Sequence, residues 1–212
     1  MRTAMIWGAS GGRGRAVVSH LVTNKWTVVA ITHQATPLDN LTPHVIDANV
    51  ADPFEVQLAV NNASQLVSEV NLWLYAAGDI TSRKVADTPF DDWQRILNAN
   101  LTGAYLTTHH SLPLLATDAH LMYLGAVSER LQLPNLSAYA AAKAALESFV
   151  EVLRKEERKR KHRITLVRPG AVDTPLWEKV PLRLPNNALT PFQATRHILD
   201  AYEQGHTGTL DI

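Results

Sequence analysis

The chain has 212 residues, 46% hydrophobic and 19% charged, and this length predicts one domain over residues 1–212 with a full hydrophobic core. The formal net charge of zero argues against nucleic acid or membrane lipid as partners, and the lack of cysteine excludes disulfides, thiolate metal sites and cysteine nucleophiles. No apolar run is long enough for a signal peptide or a membrane span, so we expect a cytoplasmic protein.

Apolar segments of strand length recur along the chain. In chain order they are TAMIW, TVVAIT, HVI, NLWLYA, HLMYL, ITLV and GTLDI. Polar and apolar residues do not alternate within them, which is typical of strands that are covered on both faces of a sheet.

Amphipathic segments of helix length separate most of these strands. They are RAVVSHLVTN, PFEVQLAVNNASQLVSEV, DDWQRILNANLTGAYLTTHHSLPLL and AYAAAKAALESFVEVLRKEERKR. Alternation of strands and helices predicts a parallel sheet with helices on both faces. The interval HQATPLDNLTP after TVVAIT has two prolines and no helical period, so we expect only a turn or two there.

A glycine-rich segment, GASGGRG, follows the first predicted strand and leads into the first helix. In that position Gly8 allows a sharp turn, Gly12 lets backbone N–H groups approach a pyrophosphate, and Gly14 lets the helix pack closely on the sheet. The alternative is an ordinary flexible turn, because glycine spacing alone is weak evidence. The place of the segment between strand and helix favours a phosphate-binding site, since a helix N-terminus attracts anions.

GASGGRG resembles the glycine fingerprint of the short-chain dehydrogenases/reductases, and further motifs of that family follow in the family's order over nearly the whole chain. The resemblance implies an α/β fold, a Rossmann-type doubly wound parallel sheet of about seven strands with helices on both faces. It also implies an NAD(P)-dependent oxidoreductase of carbonyls or secondary alcohols. Within the fingerprint, it assigns cofactor contacts to Gly8, Ser10, Gly12 and Gly14.

Two further segments are similar to cofactor-binding motifs of the family. NVADPFEV matches the segment that lines the adenine, where we rank Asn49 with Val50 ahead of Asp47. YAAG stands where the family has two asparagines followed by alanine and glycine, so only Ala77 and Gly78 match.

The carboxyl-terminal part also resembles the family. RPGAVDTP is similar to the segment after the sixth strand, which implies that the cofactor contacts Pro169, Gly170, Val172 and Thr174, the last near the nicotinamide amide. TGTLDI resembles the last strand of the sheet.

The catalytic residues are expected on the two long helices. DDWQRILNANLTGAYLTT resembles the family's fourth helix and places Asn100 at its active-site asparagine, and YAAAK supplies the Tyr139–Lys143 pair. Residues four apart share one helix face, and a nearby ammonium favours the phenolate form of a tyrosine. The resemblance implies that Tyr139 is the general acid/base and that Lys143 and Asn100 complete a path for protons, with Lys143 also binding the ribose. The alternative is a core tyrosine beside a solvated lysine.

One position departs from the family. The family has a serine thirteen residues before the tyrosine, and this chain has Ala126 there. That serine donates a hydrogen bond to the substrate oxygen, and loss of such a donor typically costs roughly 10²–10³ in rate. Ser128 either replaces it or is an ordinary loop residue, and the activity is expected to be reduced.

The residues after the second strand favour NADP(H), with NAD(H) as the alternative. An acidic residue there would bond the ribose 2′-hydroxyl of NAD and repel a 2′-phosphate, but the chain has Thr32 and His33. Arg13 and Arg15 flank Gly14 and are suited to a phosphate, although both can equally be solvated on the helix.

Other features are interpreted more simply. The charged run from Arg154 is expected to be a solvated helix end. His109 and His110 are adjacent, and no histidine spacing indicates a metal site, so we expect no metal. The segment from Pro175 is expected to cover the substrate, with Leu176 and Trp177 as apolar contacts.

The long helices also predict self-association. Apolar faces at residues 101–115 and 144–153 need cover, and the resemblance implies a homodimer or homotetramer through these helices. A small-molecule carbonyl or alcohol is the expected substrate. The rival interpretation is a non-catalytic dinucleotide-binding protein that acts as a redox sensor or scaffold, which Ala126 and the missing asparagines favour.

Overall fold

The computed structural model describes residues 2–33, 38, 40–127 and 131–212. The strands are β1 (Thr3–Trp7), β2 (Thr27–Thr32), β3 (His44–Asp47), β4 (Val70–Tyr75), β5 (Leu115–Leu124), β6 (Arg163–Arg168) and β7 (Gly208–Asp211). The α-helices are α1 (Gly12–Thr23), α2 (Pro53–Leu66), α3 (Phe90–Leu97), α4 (Gly103–Ser111), α5 (Ser137–Glu156) and α6 (Pro191–Glu203).

The described strands form one seven-stranded sheet in the order β3-β2-β1-β4-β5-β6-β7, and every pairing is parallel. The predicted doubly wound α/β fold is therefore confirmed. The chain proceeds from β1 toward one edge and then crosses to β4 on the other side of β1. In such sheets a crevice opens where the order reverses, outside the carboxyl ends of the strands.

Both faces of the sheet are covered, which explains why its strands lack polar alternation. Met5 and Trp7 of β1 pack into one core with α2, α4 and α5, whereas Ala4 and Ile6 pack into the other with α1 and α6. All four side chains are fully buried. The core therefore consists of two apolar layers that hold the crevice in a fixed position.

Two helices begin or end differently from the prediction. α1 starts at Gly12 rather than at Arg15, so the glycine segment forms its first turn. α2 ends at Leu66 rather than continuing to Val70, because Val67 has extended backbone with φ −140° and the chain enters β4 at Val70.

The long amphipathic segment from Asp91 to Leu115 is not one continuous helix. A π-helical turn over Asn98–Thr102 separates α3 from α4, and α4 ends at Ser111. Leu112–Leu114 form a 3₁₀ turn with a proline, and Leu115 already belongs to β5. The break matters because π-turns inside helices occur often at functional sites.

The sequence analysis did not predict α6. Its first turn is closed by Thr190, whose hydroxyl accepts from the backbone N–H of Gln193 while the Gln193 side chain accepts from the Thr190 N–H. Pro191 follows the cap at the first helical position. This reciprocal arrangement is a capping box, and its Thr-Pro-x-Gln signature was present in the sequence.

The close approach of Gly14 to the preceding turn gives a test of the fold. A Cβ at Gly14 would lie 2.2 Å from the Gly8 carbonyl oxygen, whereas one at Gly11 would lie no closer than 3.4 Å. We expect Gly14→Ala to lower the free energy of unfolding by about 1–3 kcal/mol, because the backbone must shift. Gly11→Ala, the matched control, has no such clash and should cost less, about 0.5–1 kcal/mol for the poorer helix cap. Urea denaturation measures both, and equal stabilities would contradict this packing.

Candidate active site

The glycine turn after β1 lies against two other chain segments. Gly8 has φ +78°, and a Cβ on it would lie 2.4 Å from the Ala77 backbone nitrogen. A Cβ on Gly12 would lie 3.0 Å from the Thr174 side chain. The glycines thus bring the segments after β1, β4 and β6 close together. At Gly12 it is the Cα that faces the Thr174 side chain.

The N-terminus of α1 has the features of an anion-binding site. Gly11 caps the helix with extended backbone and no side-chain hydrogen bond, and the first turn holds no acidic residue. The first backbone N–H groups of a helix lack intrahelical partners and carry partial positive charge. These residues therefore fit a phosphate-bearing cofactor.

Asn100 lies in the π-turn and is fully buried. Its side-chain Nδ2 donates to the carbonyl oxygens of Asp79 at 2.7 Å and Ile96 at 2.8 Å. Its Oδ1 has no hydrogen-bond partner within the described ranges, and it would lie 2.9 Å from a Cβ on Gly78. The Gly78 backbone therefore approaches this buried Oδ1 more closely than a residue with a side chain could.

Tyr139 and Lys143 lie one turn apart on α5, with residue exposures of 6% and 2%. The Lys143 Nζ donates to the Leu124 carbonyl oxygen at 2.9 Å and lies 5.6 Å from the Tyr139 ring centroid. It would lie 3.9 Å from a Cβ on Gly78, next to the Asn100 Oδ1. The structure thus brings Asn100, Tyr139 and Lys143 together at the carboxyl ends of β4 and β5.

Burial and a nearby arginine set the protonation behaviour of this pair. Burial, and secondarily the positive charge of Arg13, lower the pKa of Lys143 to about 7. Burial raises the pKa of Tyr139, and the charge of Arg13 opposes that increase. The sequence analysis expected Lys143 to lower the tyrosine pKa. In this structure burial dominates, and the cation that acts against it is Arg13.

A cavity of about 540 Å³ lies in front of Tyr139. Most of its lining is apolar, and it includes Ala126, Leu176 and Trp177. The indole N–H of Trp177 donates to the Val172 carbonyl oxygen at 2.9 Å, which fixes the ring in the wall. The segment from Pro175 therefore covers one side of the pocket.

The residues expected near the nicotinamide follow β6. Pro169, Gly170, Val172 and Thr174 all line the same cavity. The Gly170 N–H donates to the Ile212 carbonyl oxygen at 2.8 Å, and Val172 forms a parallel bridge with Leu189. This segment is thereby attached to the residue after β7 and to the chain before α6.

The residues expected around the adenosine lie at the other end of the crevice. The Thr32 hydroxyl donates to the Ser10 hydroxyl, His33 is exposed, and Asp47 stands opposite Thr32 in the β2–β3 register. Arg15 is exposed on α1, whereas Arg13 lines the cavity with Tyr139. Arg13 therefore lies at the cavity, whereas Arg15 lies at the surface of α1.

Asn49 and Val50 follow β3. The Asn49 Oδ1 accepts from the Ala51 N–H at 3.0 Å, and the Asn49 N–H donates to Glu55 at 2.7 Å. Val50 is partly buried and packs against the core, close to Gly103. Ser128, the alternative hydroxyl for Ala126, lies outside the described residues.

Sequence reasoning missed two residues that hold this site together. Tyr75 is fully buried, and its hydroxyl donates to the Ala99 carbonyl oxygen at 2.8 Å, one residue before Asn100. Asp79 forms ion pairs with Arg95 and with Lys179, the latter at 2.7 Å. Tyr75 departs from the family motif, which marks its position as unusual. Its hydrogen-bond partner could not be predicted, because that residue lies 24 positions away in the sequence.

The doubly wound sheet, the glycine turn and the pocket beside Tyr139 are the features of an α/β oxidoreductase. The family model for short chain dehydrogenases matches residues 2–184. The chain therefore belongs to the short-chain dehydrogenase/reductase family of oxidoreductases.

Individual relatives agree with this assignment. An uncharacterized oxidoreductase of Staphylococcus aureus (strain USA300) is 26% identical over 182 residues, covering 82% of this chain and 79% of the relative. An uncharacterized short-chain type dehydrogenase/reductase of Sinorhizobium fredii is 31% identical over 182 residues, covering 82% of this chain and 33% of the relative.

Solved structures agree as well. A putative short-chain oxidoreductase of Thermus thermophilus superimposes with a TM-score of 0.84 at 29% identity, covering 95% of each chain. A 3-ketoacyl-(acyl-carrier-protein) reductase of Brucella melitensis, solved with NADH, superimposes with a TM-score of 0.89 at 20% identity, covering 100% of this chain and 96% of the reductase. The second likeness supports the fold.

The described residues show neither a membrane-spanning helix nor a cluster of metal ligands. None of their helices combines the length and apolar character needed to cross a membrane. Among the same residues, no group of three or more His, Cys, Asp or Glu side chains is placed to hold a metal ion. His109 and His110 contact each other edge to face, with ring centroids 4.9 Å apart.

Tyr75 provides a test of how the π-turn is held. Tyr75→Phe removes the hydrogen bond to the Ala99 carbonyl, and we expect the free energy of unfolding to fall by about 1–3 kcal/mol. Tyr105→Phe is the control, because Tyr105 is 50% exposed and should tolerate the change. Chemical denaturation compares the two, and a Tyr75 variant as stable as the control would argue against this role.

Proposed function

We propose that this protein is an NADP(H)-dependent oxidoreductase that transfers hydride between the nicotinamide and a carbonyl or secondary alcohol, with Tyr139 as general acid/base. The observation that carries the proposal is the position of Tyr139 in the wall of an apolar cavity, with the Lys143 Nζ 5.6 Å from its ring centroid and Asn100 beside Lys143 at Gly78. A sensor or scaffold has no evident need for that set of three side chains.

The residues of this chain account for the proton chemistry. The bound nicotinamide supplies or accepts the hydride. In reduction, Tyr139 protonates the oxygen as negative charge develops on it, and the pocket excludes bulk water from that oxygen. Lys143 has a pKa of about 7, so near neutral pH it can release a proton toward Tyr139 and regain one. The free Oδ1 of Asn100 can accept a hydrogen bond from a water that leads from Lys143 to solvent.

The proposed cofactor site runs along the crevice from β2 to β6. Its residues are Gly8, Ser10, Gly12, Arg13, Gly14, Arg15, Thr32, His33, Asp47, Asn49, Val50, Ala77, Gly78, Tyr139, Lys143, Pro169, Gly170, Val172 and Thr174. The uncapped start of α1 and the close packing of Gly8 and Gly12 support the diphosphate position. The reductase of Brucella melitensis was solved with NADH, which supports a nicotinamide dinucleotide in this fold.

The pocket supports a substrate with an apolar body. Leu176, Trp177 and Val180 from the segment after β6 line the cavity together with Ile80 and Leu136. A volume of about 540 Å³ accommodates a small molecule. We therefore propose a ketone or aldehyde, or the corresponding alcohol, with an apolar substituent.

The rival function is dinucleotide binding without turnover. Ala126 lines the cavity and offers no hydroxyl to a substrate oxygen. Binding of the dinucleotide without oxidation across a broad panel of carbonyl compounds would favour this rival.

We also propose a homodimer or homotetramer formed through α4 and α5. Tyr105 is 50% exposed and Val152 is 49% exposed on these helices. The Tyr105 ring stacks on His109 and meets Phe149 edge to face, so the three rings form one aromatic patch. Such a surface is typical of an interface between subunits.

Replacing the general acid tests the proposed reaction. Tyr139→Phe removes only the hydroxyl, which is the proposed proton donor, so kcat should fall by about 10²–10⁴. The dissociation constant of NADPH, measured by fluorescence titration, should change little. Tyr202→Phe, on the opposite side of the sheet, serves as the control. A Tyr139 variant that keeps the activity of the control would refute the assigned role.

Cofactor preference is tested by binding. We expect NADPH to bind more tightly than NADH, since no carboxylate follows Thr32 directly and Arg15 is exposed nearby on α1. Arg15→Ala should weaken NADPH about tenfold and leave NADH nearly unchanged, because a charge-assisted hydrogen bond is lost. Arg158→Ala, in the 3₁₀ turn that follows α5, is the control. Tighter binding of NADH by the wild-type protein would contradict the preference.

A further inference from the structure

Arg13 places a positive charge in a pocket that is otherwise mostly apolar. Among the described residues that line the cavity, Arg13 carries the one charged side chain, and Tyr139, Thr174 and Asn187 are the other polar ones. Arg13 is partly buried, and this burial lowers the pKa of its guanidinium. Burying a charge without a counter-charge is costly, so such a group indicates a ligand that compensates for it.

The guanidinium has no such partner within the protein as described. Across residues 2–33, 38, 40–127 and 131–212, no hydrogen bond or ion pair joins it to another side chain. The residues on which its charge acts are Tyr139 and Lys143. Arg13 therefore lines the cavity with Tyr139, near enough for its charge to act on Tyr139 and Lys143.

Ala126 lines the same cavity. A methyl group cannot donate a hydrogen bond, so position 126 gives no second donor to an oxygen held by Tyr139. Five N–H donors in a planar fork are available on an arginine. The donor that position 126 lacks is thus present on the glycine turn, in a side chain that reaches the same pocket.

We propose that the Arg13 guanidinium donates a hydrogen bond to the reacting oxygen of the substrate, opposite the Tyr139 hydroxyl, and so takes the place of a hydroxyl at position 126. This inference rests on the proposed function, but it replaces the cofactor contact proposed above for Arg13 with a catalytic role toward the substrate oxygen.

The chemistry follows from charge. In reduction the carbonyl carbon accepts a hydride, the π electrons of the C=O bond move to oxygen, and the oxygen takes its proton from Tyr139. Arg13 keeps all of its protons and stabilises the negative charge while it exists. Preorganised donors are most effective in a pocket of low dielectric, which the apolar lining provides. The phenolate that remains then lies between the charges of Arg13 and Lys143.

A cycle of four proteins tests the inference: wild type, Arg13→Met, Ala126→Ser and the double variant. With a neutral ketone, Arg13→Met should lower kcat by about 10²–10³ and change KM little. Ala126→Ser should restore at least about tenfold in the Arg13→Met background but have a small effect in the wild type, because the two donors serve one oxygen. Unfolding curves and NADPH dissociation constants confirm that each variant folds and binds cofactor.

A second measurement needs no turnover. 4-Nitrophenol fits a cavity of this size. When its phenolic oxygen is ionised, the resulting phenolate absorbs visible light. Wild-type protein should bind the phenolate in preference to the neutral phenol, and Arg13→Met should reverse that preference. If no carbonyl compound is reduced but the phenolate preference depends on Arg13, the proposed reaction fails while the oxyanion site stands.

Four outcomes would overturn the inference. In the first, Arg13→Met leaves kcat for neutral ketones unchanged and raises KM only for substrates with a carboxylate, which makes Arg13 an anchor for that group. In the second, it weakens NADPH binding at least tenfold, which makes Arg13 a phosphate contact. In the third, it tightens NADPH binding, which shows that the side chain competes with the nicotinamide. The fourth is phenolate binding that does not depend on Arg13.

Discussion

The active site depends on three places where backbone comes closer to another group than a Cβ would allow. Gly8 contacts the Ala77 backbone, Gly14 contacts the Gly8 carbonyl, and Gly78 faces the Asn100 Oδ1. These approaches bring the turn after β1, the loop after β4 and the π-turn into one crevice. The glycine turn and the surroundings of Asn100 are therefore parts of a single packing arrangement.

The sequence predicted most of the fold because the sheet is buried on both faces, which leaves seven apolar segments that stand out. It predicted less well where backbone geometry depends on distant contacts. The π-turn at Asn98–Thr102 is held by a hydrogen bond from Tyr75 of β4, and no local sequence pattern indicates that contact. Helix α6 is a different case, because the pattern of its capping box is present in the sequence and is enough to predict the start of a helix.

The candidate site shows the same division. Asn100, Tyr139 and Lys143 could be found from motifs, because each motif fixes a backbone position on a helix. The direction of a flexible side chain is not fixed in this way. The place of Arg13 in the glycine segment predicts a phosphate contact, and the structure adds that its side chain lines the cavity with Tyr139. The pKa of Tyr139 could not be predicted from the sequence either, because burial and nearby charge act on it only in the folded pocket.

Asp79 joins two parts of the site that serve different purposes. Its carbonyl accepts from Asn100, and its carboxylate holds Lys179 at the end of the segment that covers the pocket. Moving that segment away breaks an ion pair on the same residue that orients the asparagine. The segment after β6 and the orientation of Asn100 are thus connected through one residue, and the ion pair in that connection weakens with ionic strength because Lys179 is 55% exposed.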